Sequence, residues 1–284
     1  MLVLALDTSS AAISVAVVSM APDVVPRAVR REVNAKGHGE RLGPVIEAVL
    51  SDAGAHARDL AALVAGVGPG PYTGLRVGLV TAAAIGHAVG VPTYGVCSLD
   101  AISGGDLVVT DARRKEVYWA LYGAGRKRLT GPHVNKPIEA FTEATEAYLH
   151  ANSVSPRLSG PSAAGDAAAG TAVLDGAVVT GTAAFDGAIV SGFAALDGDA
   201  ESSSSPNEDI EGPRASRLVV TGAGAILFPN VFGDPAGDLY PDPVRLAELA
   251  AERVVRGSRA EPLLPLYLRR PDASEPGAPK QVRQ

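Results

Sequence analysis

Asp7 ends the apolar run LVLAL and is followed by Thr8, Ser9 and Ser10, a carboxylate and three hydroxyls at the mouth of a strand. A carboxylate so placed can hold a metal-bound water beside a phosphate, or it can accept turn hydrogen bonds from Ser9 and Ser10. The short spacing favours the second use. The other stretch with chemical capacity is GVGPGPYTG at residues 66–74, a glycine-rich loop running into a helix. Backbone N–H groups of such a loop attract an anion. That makes Asp7, Thr8, Ser9, Gly68 and Gly70 the phosphate-proximal candidates. Pro69 and Pro71 remove two of the donors, and no G-x-x-x-x-G-K-[ST] occurs, so the loop suits close packing of its helix better than nucleotide contact.

Other chemistries find less support. The five histidines, His38, His56, His87, His133 and His150, stand 17 or more positions apart, with no H-x-x-x-H or H-E-x-x-H to seat a metal. His38, between two glycines, reads as a mobile loop residue rather than a general base. Cys97 is the one cysteine, which excludes an intrachain disulfide and a multi-cysteine zinc site. Lying in an apolar strand, it reads as buried and inert. No G-x-S-x-G elbow is present, so serine hydrolysis has no support.

The elements that must position these residues follow from periodicity. Residues 2–6 and 13–18 are short, branched apolar runs that pair as a hairpin with its turn at 9–12. Leu42, Val45, Ile46, Val49 and Leu50 recur at helical spacing, with Gly54 placed to end the helix and Pro44 setting its start near Leu42 or kinking it. Residues 63–67 form a buried strand feeding the glycine loop, and Thr73 is placed to cap the helix beyond it. In that helix Gly74, Gly78, Ala82, Gly86 and Gly90 recur every fourth position, a stripe along which another backbone can approach closely. VPTYGVCS reads as a further strand, and residues 107–110 and 116–122 as a hairpin about the polar turn 111–115. Asp242 and Pro243 open a helix with an apolar face of Leu246, Leu249, Ala250 and Val254, and Gly257 closes it.

Bulk properties bound the rest. The 284 residues, 46% of them hydrophobic, fit two modest domains, and 25 basic against 31 acidic residues give a net charge of −6. Beyond short runs such as the GRKR at 125–128 there is no dense basic stretch, which argues against independent nucleic-acid binding. No membrane span or leader is legible, so the chain reads as a soluble, unexported, cytoplasmic protein. Residues 159–216 differ in kind: Asp-Gly recurs at 175–176, 186–187 and 197–198 among alanines and valines, before SSSSPNEDIEG. The segment reads as a low-complexity insertion, loosely ordered or a slight sheet, without chemistry.

LALDTSSAAISVAVV, HGERLGPVIEAVL, GVGPGPYTGLRVGL, VCSLDAI, DARRKEVYWALY, VTGAGAILFP and PLYLRRPDA fall in the order seen in the bacterial TsaB (YeaZ) family, which this chain resembles over residues 1–123 and 217–273. The resemblance implies an α/β, duplicated actin-like/ribonuclease H-like (ASKHA) fold with mixed sheets and two lobes. The first lobe would be residues 1–100 completed by 243–270, the second 101–242 with the insertion, and 271–284 a tail. It further implies a non-catalytic, dimerising and activating subunit in the synthesis of N6-threonylcarbamoyladenosine in tRNA. Its partners would be a TsaD-type catalytic subunit and a TsaE-type ATPase, with a homodimer when alone and tRNA held through the complex. ATP or ADP would sit, if anywhere, at the complex interface. TsaD carries a metal-binding N-H-L-E-G-H where this chain has Cys97-Ser98-Leu99-Asp100-Ala101-Ile102. Ser98 and Ile102 replace both histidines, so no metal is expected. The family pairs through its first two helices, which carries the interface here onto Leu42, Val45, Ile46, Val49, Gly74, Gly78, Ala82 and Gly86, although the same stripe can instead pack on the chain's own sheet. The alternatives are a weak nucleotide hydrolase using Asp7, a metallopeptidase-like enzyme of the same superfold, or a homodimeric interaction module.

Overall fold

Strand β1 (Leu2–Asp7) pairs antiparallel with β2 (Ala12–Met20), from Leu2 opposite Ser19 to Asp7 opposite Ser14, and β2 pairs with β3 (Val24–Val33). Helix α1 (His38–Asp52), β4 (Leu60–Gly66), α2 (Tyr72–Val89) and β5 (Thr93–Val96) follow. Because β4 lies parallel to β1 and β5 parallel to β4, the sheet is mixed, in the order β3-β2-β1-β4-β5. The second half repeats the plan. Strands β6 (Leu107–Asp111), β7 (Val117–Tyr122) and β8 (Arg128–Asn135) form an antiparallel meander, followed by α3 (Pro137–Asn152). The two-residue strands β9 (Val173–Leu174) and β10 (Ala177–Val178) pair antiparallel. Next come β11 (Val220–Thr221), α4 (Ala223–Leu227), α5 (Pro229–Phe232) and α6 (Pro243–Val255). Strand β11 runs parallel to β6, giving the order β11-β6-β7-β8.

This computed structural model describes residues 1–20, 22–33, 37–152, 173–174, 177–178 and 218–269. By packing, the chain divides into Met1–Val154 with Ser216–Gln284, which holds both larger sheets, and Ser155–Ala215, which holds β9 and β10. The β9–β10 pairing brackets Asp175–Gly176, the hairpin signal of the first Asp-Gly repeat, while the repeats at 186–187 and 197–198 lie outside the described residues.

Both faces of β1, β2 and β4 are buried, which is why β1 reads as an unbroken apolar run rather than an alternating one. Leu4, Leu6, Ile13 and Val15 on one face meet Leu42, Val45, Ile46 and Val49 of α1 and Leu75, Leu79 and Ala82 of α2. On the other, Val3, Ala5, Val64 and Tyr94 meet Leu246, Ala247, Ala250 and Val254 of α6. In the second sheet Val109, Trp119 and Leu121 pack on Ala140 and Ala144 of α3 and Phe232 of α5. Its opposite face, with Val108, Ala120 and Tyr122, meets Cys97, Leu99 and Ile102 from the chain that leaves β5.

Several sequence-based boundaries are corrected. Helix α1 begins at His38, so Pro44 lies inside it. Its missing N–H leaves the Glu40 carbonyl without its usual partner, on a side where Glu40 and Pro44 are both exposed and water can take that role. Pro71, not Thr73, occupies the N-cap of α2, and no side chain caps it. Asp242 caps α6 as expected, accepting from Val244 N at 3.0 Å, but Leu249 is 37% exposed and drops out of the buried face.

The chain leaves the first sheet after β5 and returns before α6, and these two crossings lie side by side. Asp238 N donates to Ser103 O and Asp242 N to Ala101 O, each at 2.9 Å. Between them Gly104 (φ +107) faces Gly237 (φ +73), and a Cβ on Gly104 would fall 2.5 Å from Gly237 Cα. Only glycine suits both the left-handed backbone and the contact.

Two glycine substitutions separate the inner from the outer side of the helical layer. A Cβ on Gly78 would lie 2.3 Å from Thr8 Oγ1, whereas one on Gly43 meets nothing within 4 Å. Gly78→Ala is expected to destabilise by about 1–3 kcal/mol through overpacking. Gly43→Ala is expected to stabilise by about 0.5–1 kcal/mol by restricting the unfolded chain. Urea unfolding of both variants checks the opposite signs.

Candidate functional site

The C-terminal end of β1 brings the sequence candidates together. Asp7 is 1% exposed. Its Oδ1 accepts from Ser9 N and Ser9 Oγ, both at 2.8 Å, and Ser98 Oγ lies 2.5 Å from its Oδ2. Ser98 Oγ in turn accepts from Gly68 N at 3.0 Å, and Ser98 N donates to Gly68 O at 2.7 Å. The expected turn bond from Ser9 is present. Ser10 does not take part, because its hydroxyl accepts from Ala12 N at 3.2 Å instead.

Thr8 serves the neighbouring helix. Its hydroxyl donates to Gly74 O at 2.8 Å and accepts from Gly78 N at 3.1 Å, the two groups that an α-helix joins to each other across one turn. The glycine loop lies directly on this segment: a Cβ at Gly66 would fall 1.8 Å from Asp7 Oδ2, and one at Gly70 2.1 Å from Ser9 O. The N–H groups of Ser9 and Gly68 are therefore committed inside the chain, and Pro69 and Pro71 offer none. Of the phosphate-proximal candidates Asp7, Thr8, Ser9, Gly68 and Gly70, all five are buried. They form a packed junction rather than an open cradle.

The small-residue stripe is turned the same way. Leu42, Val45, Ile46, Val49, Gly78, Ala82 and Gly86 are buried by the chain's own sheet and strands, and a Cβ on Gly74 would lie 2.9 Å from Thr8 O. Of the two packings the stripe allows, the chain's own sheet takes it. What remains open is the outside of the same helices. On α1 Gly39, Gly43, Pro44 and Glu47 are exposed, and on α2 Tyr72, Arg76, Val80, Ala83, Ala84 and His87 are exposed, Val80 at 66%. At the start of α2 the Tyr72 ring stacks on Tyr267 at 5.0 Å, while Arg76 lies 4.0 Å over Tyr72 and donates through Nε to the Tyr267 hydroxyl at 3.0 Å.

Two further residues escape sequence reading. His38 is no mobile loop residue: it opens α1, is 8% exposed, and donates through Nε2 to Ser10 O at 3.0 Å. Arg113 lines a cavity of about 280 Å³ together with Ser10, Pro71, Thr110 and Tyr240, and a second of about 420 Å³ with Ser10, His38 and Thr73. It belongs to a turn in which Arg113, Arg114 and Lys115 are all left-handed, with φ of 62°, 54° and 60°. Each such residue costs roughly 1–2 kcal/mol, and the run of three basic residues was the signal available for it.

Cys97 falls just after β5 and is buried, and burial pushes its thiol up to about 11, with the Asp100 charge adding and Arg128 opposing. At that value it is a poor nucleophile. Ser98 belongs to the Asp7 junction, and Ile102 is fully buried among apolar side chains. Among the described residues no three His, Cys, Asp or Glu side chains cluster closely enough to hold a metal ion.

A family model described as TsaD, tRNA N6-adenosine threonylcarbamoyltransferase, matches residues 24–166, half of the chain. The chain belongs to the TsaD family. Within that family its likeness is to the TsaB (YeaZ) proteins. TsaB of Escherichia coli K12, a tRNA threonylcarbamoyladenosine biosynthesis protein, is 34% identical over 131 residues, 43% of this chain and 55% of that protein. An uncharacterized protein of Mycobacterium tuberculosis H37Rv is 55% identical over 137 residues, 47% of this chain and 64% of the relative. The chain thus spans less than two thirds of these curated relatives. The structure of YeaZ from Pseudomonas aeruginosa superposes with a TM-score of 0.57 at 22% identity, over 94% of this chain and 99% of that one. The fold is therefore the actin-like, ASKHA-type α/β fold with two mixed sheets.

The junction predicts a pH signature. Burial pushes the Asp7 carboxyl above its ordinary value, against hydrogen bonds from Ser98 and Ser9 and the charge of His38, which pull it down. A carboxyl raised on folding contributes stability that is complete below its unfolded value and is lost as pH rises through its folded value. Asp7→Asn keeps the shape without ionising, so its stability relative to the wild type is expected to rise between about pH 4 and about pH 8. Urea unfolding at both ends checks this, and a difference independent of pH would mean that folding leaves the Asp7 carboxyl at its unfolded value.

Proposed function

We propose that this chain is a non-catalytic subunit in the formation of N6-threonylcarbamoyladenosine in tRNA, binding and ordering a TsaD-type catalytic partner. The observation that carries the proposal is the state of the Asp7 junction. The carboxylate, hydroxyls and glycine loop that would do chemistry are buried and bonded to one another, while the outer faces of α1 and α2 are open. The naming of the E. coli relative as a threonylcarbamoyladenosine biosynthesis protein supports the pathway.

In this reading the partner docks on the outer faces rather than on the buried stripe. Gly39 and Gly43 have open space above them, so a partner helix can approach the α1 backbone closely, and Val80, Ala83 and Ala84 continue the surface on α2. The first lobe would be residues 1–100 with 243–270 and the second 101–242. A TsaE-type ATPase would join the same complex, tRNA would be held through it, and the site of action would be the cytoplasm. No described helix is long and apolar enough to cross a membrane. The chain would act by binding the active conformation of its partner better than the inactive one, which shifts the population by the ratio of those affinities.

Cells depleted of the protein should lose threonylcarbamoyladenosine from tRNA, read by mass spectrometry of the nucleosides, and regain it with the wild type or with Asp7→Asn. Failure of a folded Asp7→Asn chain to restore it would favour the nucleotide-hydrolase reading. Val80→Glu places a charge in the docking face and is expected to weaken the partner by at least about tenfold without unfolding the chain, the scale of a central interface residue. Unchanged co-purification with the TsaD-type subunit would move the interface elsewhere.

A further inference from the structure

In the basic run GRKR at residues 125–128 the two arginines turn inward, while Gly125 and Lys127 are exposed. Gly125 and Arg126 are left-handed, with φ of 65° and 61°, an unfavourable state for the arginine. That backbone folds the Arg126 side chain over the Tyr122 ring, its guanidinium carbon 4.5 Å from the centroid. The two terminal nitrogens donate to the main-chain carbonyls of Ile102 and Gly105, while Nε is buried without a partner. Two residues on, Arg128 Nη2 lies 3.2 Å from Asp100 Oδ2 and Nη1 lies 3.4 Å from Cys97 Sγ. Tyr122, between the two arginines, donates its hydroxyl to Asp100 Oδ1 at 2.7 Å.

Every one of these hydrogen bonds falls on residues 97–105, the crossing from the first sheet to the second. The return crossing is hung on the same segment through Asp238 to Ser103 and Asp242 to Ala101, and the two meet at the Gly104–Gly237 contact, where no side chain intervenes. A left-handed arginine with an unsatisfied buried N–H is a costly arrangement, retained where the surroundings fix it. Here it grips the segment through which the chain passes from one sheet to the other.

We propose that Arg126 and Arg128 form a strap that holds this double crossing closed, and that releasing it lets the two sheets turn about the Gly104–Gly237 contact. The GRKR run is then a mechanical element of the fold and not a nucleic-acid patch. The strap belongs to the free chain and stands whether or not the partner reading above is right.

Amide hydrogen exchange on the full chain tests it, comparing the wild type with Arg126→Gln. The Asp238 and Asp242 amides, which donate to the strapped segment, should exchange about tenfold faster in the variant, the effect of losing hydrogen bonds from a charged donor. The Met20 and Leu63 amides, which donate to Met1 O and Pro92 O in the first sheet, should keep their wild-type rates. Alkylation of Cys97 by N-ethylmaleimide should accelerate in parallel, because Arg126 does not touch the thiol but holds the segment that buries it. Unchanged rates at Asp238 and Asp242, or an equal acceleration at Met20 and Leu63, overturn the strap. Arg126→Lys keeps the charge but lacks the fork that reaches both carbonyls. It should show the same local acceleration, and wild-type rates in this variant overturn the proposal even if Arg126→Gln fails to fold.

Discussion

A carboxyl buried at the end of a central strand must be satisfied by its surroundings, since a polar group left unpaired in the interior costs of order 1–3 kcal/mol or more. In this chain Asp7 meets that demand by drawing in three separate segments: the β1–β2 turn through Ser9, the turn after β5 through Ser98, and, through Ser98, the glycine loop at Gly68. The demand also explains the composition of the loop, because any side chain at residue 66 would occupy the space of the carboxyl. With the loop pinned, the start of α2 is fixed, and Thr8 holds the first turns of that helix against the sheet. The small-residue stripe is the continuation of this closeness down the helix, ending at Gly86 over Thr93.

The inward use of the stripe decides what the surface of the first half presents. Since α1 and α2 bury their larger apolar residues on the sheet, their outer faces carry glycine, alanine, valine and a few charges. Such a face is flat and close to the backbone, with little side-chain entropy to lose on association. The Tyr72, Arg76 and Tyr267 cluster gives its edge a rigid aromatic and cationic corner. Chemistry sealed inside and a low exterior are what the proposed role by contact calls for.

Periodicity made much of this legible. The paired strands β1 and β2, the apolar spacing of α1, the Asp242 cap and the hairpin of β6 and β7 are local signals, and each stands in the structure within a few residues of its expected place. Periodicity says which residues share a face but not what the face meets, so the stripe could not be assigned to a partner or to the chain's own sheet from spacing alone. The Asp7–Ser98 contact joins positions 91 apart in sequence, and nothing local in either residue announces it. His38, flanked by glycines, looked mobile because the helix that claims it extends upstream of its own apolar pattern and through a proline. The GRKR run carries no sequence sign of its inward arginines, because an arginine whose guanidinium lies on tyrosine has the same sequence signature as one in solvent.

The contact between Gly104 and Gly237 has a consequence for how this sequence can drift. A Cβ at Gly104 would strike Gly237 Cα, and one at Gly237 would strike Ser103 O and Gly104 Cα, so neither glycine can be exchanged while the other strand stays where it is. The obstacle in each case is main chain, so removing a neighbouring side chain offers no relief. Two positions more than a hundred residues apart are thereby locked into one shared steric constraint, so that a change at either would require the main chain at the other to move.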